Sequence, residues 1–284
     1  MYVSMREMLR KANEGSYAVM AINAFNIEST HGIIQAAEAM RSPIIIDLLQ
    51  DHLKSIVDCN LITNPIIRMA QDSPVPVALN LDHGSDVRHL KRCVHEGFSS
   101  VMVDASALPF EDNVRVTRDV VSFAEPYGAS VEAEVGNMGL VGEGSGFTDA
   151  DMYTEPEAAI SFIKETGVDA LAVSYGSTHG NYPEGYVPTF HFDIVERIKE
   201  ATGCPLVLHG GSGAGAENIK RSLEVGINKI NVGTDYMNAQ REFVRQALAA
   251  DPELDYPSLA TRAAEAGGEV LKRYIELAGS ANKA

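Results

Sequence analysis

The stretch VPVALNLDHG (75–84) decides the fold. It is apolar and uncharged up to Leu81, then ends abruptly in Asp82, His83 and Gly84. Without a polar alternate face, such a run reads as a strand buried on both sides, as in a parallel sheet. Seven more runs of strand length are mostly apolar, with charges only at Asp47, Asp104, Glu132, Glu134, Asp169 and Lys229: YAVMAIN (17–23), PIIIDLL (43–49), SSVMVDA (99–105), ASVEAEV (129–135), DALAVSY (169–175), CPLVLHG (204–210) and INKINVG (227–233).

Between the runs lie segments with apolar residues three and four apart, among them DVRHLKRCVHEG (86–97), EPEAAISFIKETG (155–167) and HFDIVERIKEATG (191–203). Each of these ends in glycine, as a helix C′ position favours. Strand and helix alternate eight times without a low-complexity break. The expectation is an α/β chain forming a (β/α)8 TIM barrel over residues 1–284 as a single domain, with extra C-terminal helices from about 239 onward.

Composition narrows the function. The 284 residues carry a net charge of −16 with scattered Lys and Arg, which argues against a nucleic-acid surface or an anionic membrane as partner. No apolar stretch approaches the roughly 20 residues of a membrane helix. The first residues, MYVSMREMLRKANEG, lack the apolar core of a signal peptide. Cys59, Cys93 and Cys204 are odd in number and have no CxxC spacing, which suits free thiols in a reducing compartment. A cytoplasmic location is expected.

In such barrels reactive groups collect where strands end. Here the ends carry Asp82-His83, Asp104, Glu132 and Glu134, His179, His209 and Asn231. His83, His179 and His209 each follow an apolar run and precede a glycine. Three imidazoles from separate strands can hold a divalent metal with a position left open. Taken singly, each is more readily a hydrogen-bonded core or surface histidine. Asp82 beside such a metal could shuttle a proton; its plainer use is as a helix N-cap, although Ser85 and Asp86 lie nearer the next helix.

Glu132 and Glu134 share one strand face. One suits a ligand at an alternative metal position, with Asp104, and the other could orient an imidazole or pair with Lys229. HGGSG (209–213) precedes the helix around GAENIKRSL, whose N-terminus would favour a negative charge, and with NVGTD (231–235) it reads as a phosphate cradle after strands seven and eight. NMGLVGEGSG (137–146) reads as a lid bearing Glu143, or as a surface loop without a role.

NLDHG, VEAEVG, STHG, LHGGSG and KINVGT together resemble the class II, metal-dependent ketose-bisphosphate aldolases, which act on fructose 1,6-bisphosphate or tagatose 1,6-bisphosphate. The likeness runs nearly end to end. It implies zinc bound by His83, His179 and His209, a second divalent position at Asp104 and Glu134, and Asp82 as the proton-transferring residue. Gly180, Gly210, Gly211, Ser212, Asn231, Gly233 and Thr234 would hold the dihydroxyacetone phosphate half, with Asn26 lining the pocket. It also implies a homodimer or homotetramer, and a monovalent cation near the phosphate in some members.

Four positions depart from that pattern. Gly142 stands where a lid glutamate usually removes the C3 proton, with Glu143 one place later. Leu49 replaces a polar serine, Asp47 replaces a Gln or small residue, and Gly233 stands where Asp or Ala is common. The reaction expected is cleavage of a ketose 1,6-bisphosphate to dihydroxyacetone phosphate and an aldehyde such as glyceraldehyde 3-phosphate. Competing readings are another 1-phosphorylated ketose as substrate, a sugar-phosphate binding protein without turnover, a Schiff-base aldolase using Lys229, and a zinc hydrolase.

Overall fold

The computed structural model describes residues 1–136, 153–178, 180, 186 and 188–284. Eight parallel strands close into a barrel in chain order: β1 (Val19–Asn23), β2 (Ile44–Leu49), β3 (Val77–Gly84), β4 (Ser100–Val103), β5 (Ser130–Val135), β6 (Ala170–Val173), β7 (Leu206–Leu208) and β8 (Ile227–Val232). All eight expected runs form strands. The helices are α1 (Met5–Glu14), α2 (Ile27–Ala39), α3 (Gln50–Ser55), α4 (Cys59–Asp72), α5 (Val87–Glu96), α6 (Phe110–Ala124), α7 (Pro156–Thr166), α8 (Phe192–Thr202), α9 (Ala216–Glu224), α10 (Thr234–Ala250) and α11 (Tyr256–Leu277).

Strand parity divides the core in two. Outward residues such as Ile44, Ile46, Leu79, Leu81, Val101 and Val131 pack against the surrounding helices in one apolar cluster. Inward residues Val19, Ala21, Ile45, Ala78, Met102, Ala170, Ala172 and Val207 form a second cluster with Met5, Met8, Leu9 and Ala12 of α1. Helix α1 therefore plugs the amino-terminal end of the barrel. Ser4 caps it by accepting from the Arg6 N–H, and its apolar stripe faces the strands. Most inward residues in this layer are small, which leaves room for the plug.

One pleat further along the strands the interior turns polar. Asp47, Asn80, Ser100, Glu132, Lys229 and Asn231 all point inward and are almost wholly buried. Lys229 Nζ donates to Glu132 Oε2 at 2.7 Å and stands 3.9 Å from Asp47 Oδ2. Asn80 donates to Asp47 Oδ1 at 2.9 Å and accepts from Ser100 Oγ at 2.8 Å. Burial acts to lower the Lys229 pKa, and Asp47, Glu132 and Asp82 together outweigh it, so the ammonium keeps its proton. Cys59, Cys93 and Cys204 are free and buried. None of the helices among the described residues is long and apolar enough to cross a membrane.

Removing one member of a buried ion pair strands the other, at a cost of about 3–5 kcal/mol. Lys229→Met is expected to lower the unfolding free energy by about that amount. Adding Glu132→Gln should recover part of the loss. Urea titrations of the three proteins check both outcomes.

Candidate functional site

Consecutive residues of a strand point to opposite faces, so Asp82 and His83 could not both face the barrel mouth from a regular β3. The backbone resolves this. His83 has φ +49°, a left-handed value that is costly for a residue with a side chain. The pairing of β3 with β4 also shifts register between Leu81 and Gly84. Gly84 is required beside this kink, because a Cβ there would lie 2.5 Å from Leu90 Cδ2 and 2.8 Å from the Met102 carbonyl oxygen. Asp86 caps α5 by accepting from the Arg88 and His89 N–H groups, so Asp82 is not used as a cap.

The kink brings His83 against His209, with ring centroids 4.8 Å apart and planes at 75°. Ligand atoms of Asp82, His83 and His209 lie within 4.8 Å of one another, and so do those of His83, Asp104 and Glu134. His83 Nδ1 is 2.8 Å from Asp104 Oδ2 and 4.0 Å from Glu134 Oε2. Glu134 Oε2 is buried with no hydrogen-bond partner among the described residues. A buried carboxylate oxygen aimed at an imidazole edge is what a cation position requires, and the N/O donor set suits a divalent ion.

The electrostatics agree. Burial acts to lower the His83 pKa, but Asp82, Asp104 and Glu134 overcome it and hold the imidazole at about 10. These carboxylates favour a positive charge at this point whatever carries it. Burial pushes the Asp104 carboxyl up, yet the His83 hydrogen bond and charge bring it to about 2. Glu134 is pushed up to about 8, first by burial and then by Asp104. Burial also works against ionised Asp82, and His83, His209, Lys229 and Asn23 outweigh it, leaving the carboxyl below its ordinary value. Asp82 is therefore held as a carboxylate.

Glu132 and Glu134, two apart on β5, divide the work. Glu132 Oε1 accepts from His209 Nε2 at 2.9 Å, and its other oxygen accepts from Lys229. That commits Nε2 of His209, so Nδ1 is the nitrogen that could serve a metal ion. Lys229 is wholly buried and protonated, so it has no lone pair for an imine. The Schiff-base reading loses its nucleophile.

One pocket joins these groups to the expected phosphate cradle. Its lining includes Asp82, His83 and His209 together with Gly180, Gly210, Ser212, Asn231, Gly233 and Thr234. Gly210 has φ +66°, and a Cβ there would lie 2.5 Å from the Thr178 carbonyl oxygen, so only glycine lets β7 turn this close to the β6 exit. Gly211 N–H donates to the Asn231 carbonyl at 3.0 Å, and Ser212 Oγ accepts from the Asp235 N–H at 3.1 Å, which ties the two loops together. The helix whose first turn reaches the pocket is α10, beginning at Thr234 without a side-chain cap. Helix α9 begins only at Ala216, past the cradle, so the expectation that the helix after HGGSG supplies the positive end is corrected.

Asn26 also requires correction. Its side chain accepts from the Ser29 N–H in a capping box at the start of α2, and among the described residues the pocket is lined instead by Asn23. Asn23 Nδ2 donates to Asp82 Oδ2 at 2.8 Å. Strand parity places Asn23 on the inward face with Val19 and Ala21, a signal present in AINAFN (21–26) and not used. Leu49, His52 and Met237 also line the pocket, the latter two unforeseen. Leu49 pairs in register with Asp82. His179, Gly142 and Glu143 lie outside the described residues.

The family model described as fructose-bisphosphate aldolase class-II matches residues 3–283. A fructose-bisphosphate aldolase of Geobacillus stearothermophilus is 41% identical over 262 residues, covering 90% of this chain and 88% of the relative. A 6-phospho-5-dehydro-2-deoxy-D-gluconate aldolase of Halalkalibacterium halodurans is 38% identical over 288 residues, covering 99% and 98%. The crystal structure of the YdjI aldolase from Escherichia coli K12 superposes with a TM-score of 0.88 at 33% identity over the whole of both chains.

Gly233 has a local consequence. A Cβ at this position would lie 2.4 Å from Asn23 Oδ1, so the missing side chain is what lets Asn23 reach Asp82. Gly233→Ala is expected to displace Asn23 and lower turnover roughly tenfold, the value of one hydrogen bond to a charged group. Metal content and Tm should stay unchanged. Steady-state kinetics with metal analysis check this.

Proposed function

The chain belongs to the class II fructose-bisphosphate aldolase family and is a lyase of that class, and we propose that it cleaves a ketose 1,6-bisphosphate of the fructose type. The products would be dihydroxyacetone phosphate and an aldehyde such as glyceraldehyde 3-phosphate. The observation that carries this reading is one pocket containing both the Asp82–His83–His209 cluster and the loops at Gly210–Ser212 and Gly233–Thr234.

The donor set fits the divalent metal on which class II enzymes depend. We assign zinc to His83 and His209, with His179 as the third imidazole from its sequence motif, and a second position to Asp104 and Glu134. When bound, such an ion supplies a Lewis acid that polarises ketone and hydroxyl oxygens. The remaining work belongs to side chains. Ionised Asp82 accepts the C4 hydroxyl proton in cleavage and returns it in condensation. Asn23 and Asn231 hold that carboxylate in place, donating to its two oxygens at 2.8 and 3.4 Å. Gly210, Ser212, Gly233 and Thr234 present backbone and hydroxyl groups to the phosphate, beside the α10 N-terminus, while Gly211, expected to join them, gives its N–H to the Asn231 carbonyl and ties the loops together. Fixing the phosphate there orients the three-carbon unit against Asp82. Glu143 is assigned to the C3 proton from its place in the sequence.

A second reading, another phosphorylated ketose, is favoured by Leu49. This apolar side chain stands in register beside Asp82, where the aldehyde half must lie. The relative from Halalkalibacterium halodurans carries the name of a different phosphorylated substrate. We further infer a homodimer or homotetramer, as the family resemblance implies, and a cytoplasmic location, which the three free, buried cysteines suit.

Cleavage of a panel of ketose 1-phosphates and bisphosphates, coupled to dehydrogenase readout, tests the assignment. Activity should require zinc and vanish with chelator. Asp82→Asn should lower kcat by roughly 10²–10⁴ with metal content unchanged. Failure to cleave any 1-phosphorylated ketose, or activity indifferent to chelator, would contradict it.

A further inference from the structure

Asp235 is the second residue of α10, the helix whose positive end reaches the phosphate cradle. The first amides of a helix have no partner within it, and an acid in the first turn is itself attracted to them. A free carboxylate here would compete with a bound phosphate for the same N–H groups. The structure turns it away. Among the described residues, Asp235 does not line the site pocket; it lines a neighbouring cavity with Asn238, Val270, Arg273, Tyr274 and Leu277. Its Oδ2 accepts from the Tyr274 hydroxyl at 2.5 Å and from the Gly213 N–H at 3.3 Å. We infer that Tyr274 is a positioning residue: it holds the Asp235 carboxylate on the outer side of α10 and so keeps the helix N-terminus open to the substrate phosphate.

Of the two donors on that oxygen, Tyr274 decides its place. The Gly213 contact is long and exposed, whereas the phenol bond is short, partly buried and made to a charge. Burial and the Asp235 charge both push the Tyr274 pKa up, so the phenol keeps its proton and remains a donor. Helix α11 lies close enough to deliver it because of Gly267, two turns earlier, where a Cβ would stand 2.6 Å from Tyr236 Cε2 in the first turn of α10. The Asp235 backbone has a different task. Its N–H donates to Ser212 Oγ at 3.1 Å, which leaves the Ser212 O–H to donate to a ligand. The main chain of Asp235 thus supports the cradle, its carboxylate would oppose it, and Tyr274 keeps the two apart.

Tyr274 has this role only if the pocket takes a phosphate, as the aldolase reading has it. Calorimetric titration of the zinc-loaded protein with inorganic phosphate is the test. Tyr274→Phe should weaken phosphate binding roughly tenfold, the value of one hydrogen bond to a charged group. Combining it with Asp235→Asn should restore binding to near the wild-type strength, because the released side chain no longer carries a charge. Asp235→Asn alone should bind phosphate at least as well as the wild type, and it serves if the Phe variant does not fold. Weaker binding by that single variant would mean that the carboxylate assists the phosphate, and would overturn the assignment. So would a Tyr274→Phe protein that loses Tm but keeps its phosphate affinity, a double variant as weak as Tyr274→Phe, or a wild-type protein that binds no phosphate. The expected pattern of phosphate binding without cleavage of any ketose phosphate would sink the lyase reading and leave the role of Tyr274 standing.

Discussion

A single buried ammonium holds the floor of the site together. Lys229 sits at the polar layer of the barrel with no exposure and meets Glu132 of β5 and Asp47 of β2 across the interior. Ion pairs this deep gain little net stability over apolar packing. What this one supplies is position. Glu132, fixed by Lys229, fixes the His209 ring, while Asp47, balanced by the same charge, fixes Asn231 and Asn80. Burial alone would push the Asp47 carboxyl far up; Lys229 works against that and leaves it at about 7. The side of the pocket assigned to the metal and the side assigned to the substrate thus share one counterion.

Above that floor the backbone makes its own contribution. Placing Asp82 and His83 side by side at the mouth needs a local departure from strand geometry, and His83 adopts a left-handed φ to provide it. Outlying backbone of this kind persists only where the surroundings enforce it. Here the neighbours are Gly84, pressed against Leu90 and the Met102 carbonyl, and the Asp104 carboxylate on the imidazole. The pocket wall is adapted in the same way. Gly233 leaves space that Asn23 fills, and Leu49 lies next to Asp82.

The barrel was readable in the sequence because uncharged runs such as VPVALNL and PIII leave few alternatives to a strand buried on both faces. The strand-end positions of Asp82, His83, Glu132, Glu134 and His209 followed directly, as did the pairing of an inward glutamate with Lys229. Helix α1 was less visible, since its stripe of Met5, Met8, Leu9 and Ala12 means little until a barrel end exists for it to plug. Rather than Asn23, the family resemblance points to Asn26. Its use as an N-cap depends on Ser29, three residues on. The α10 terminus was overlooked in favour of the glycine-rich approach to α9, because composition marks a turn and not the direction a helix points. The Asp82-His83 kink depends on the β3–β4 register, which no local pattern specifies.

The most direct measurement is anomalous diffraction at the zinc edge from crystals grown with zinc. The account predicts a strong peak about 2.0–2.1 Å from both the His83 and His209 imidazoles, in the pocket that contains Ser212 and Thr234, with any second peak at Asp104 and Glu134. Imidazoles that do not share one ion would contradict it.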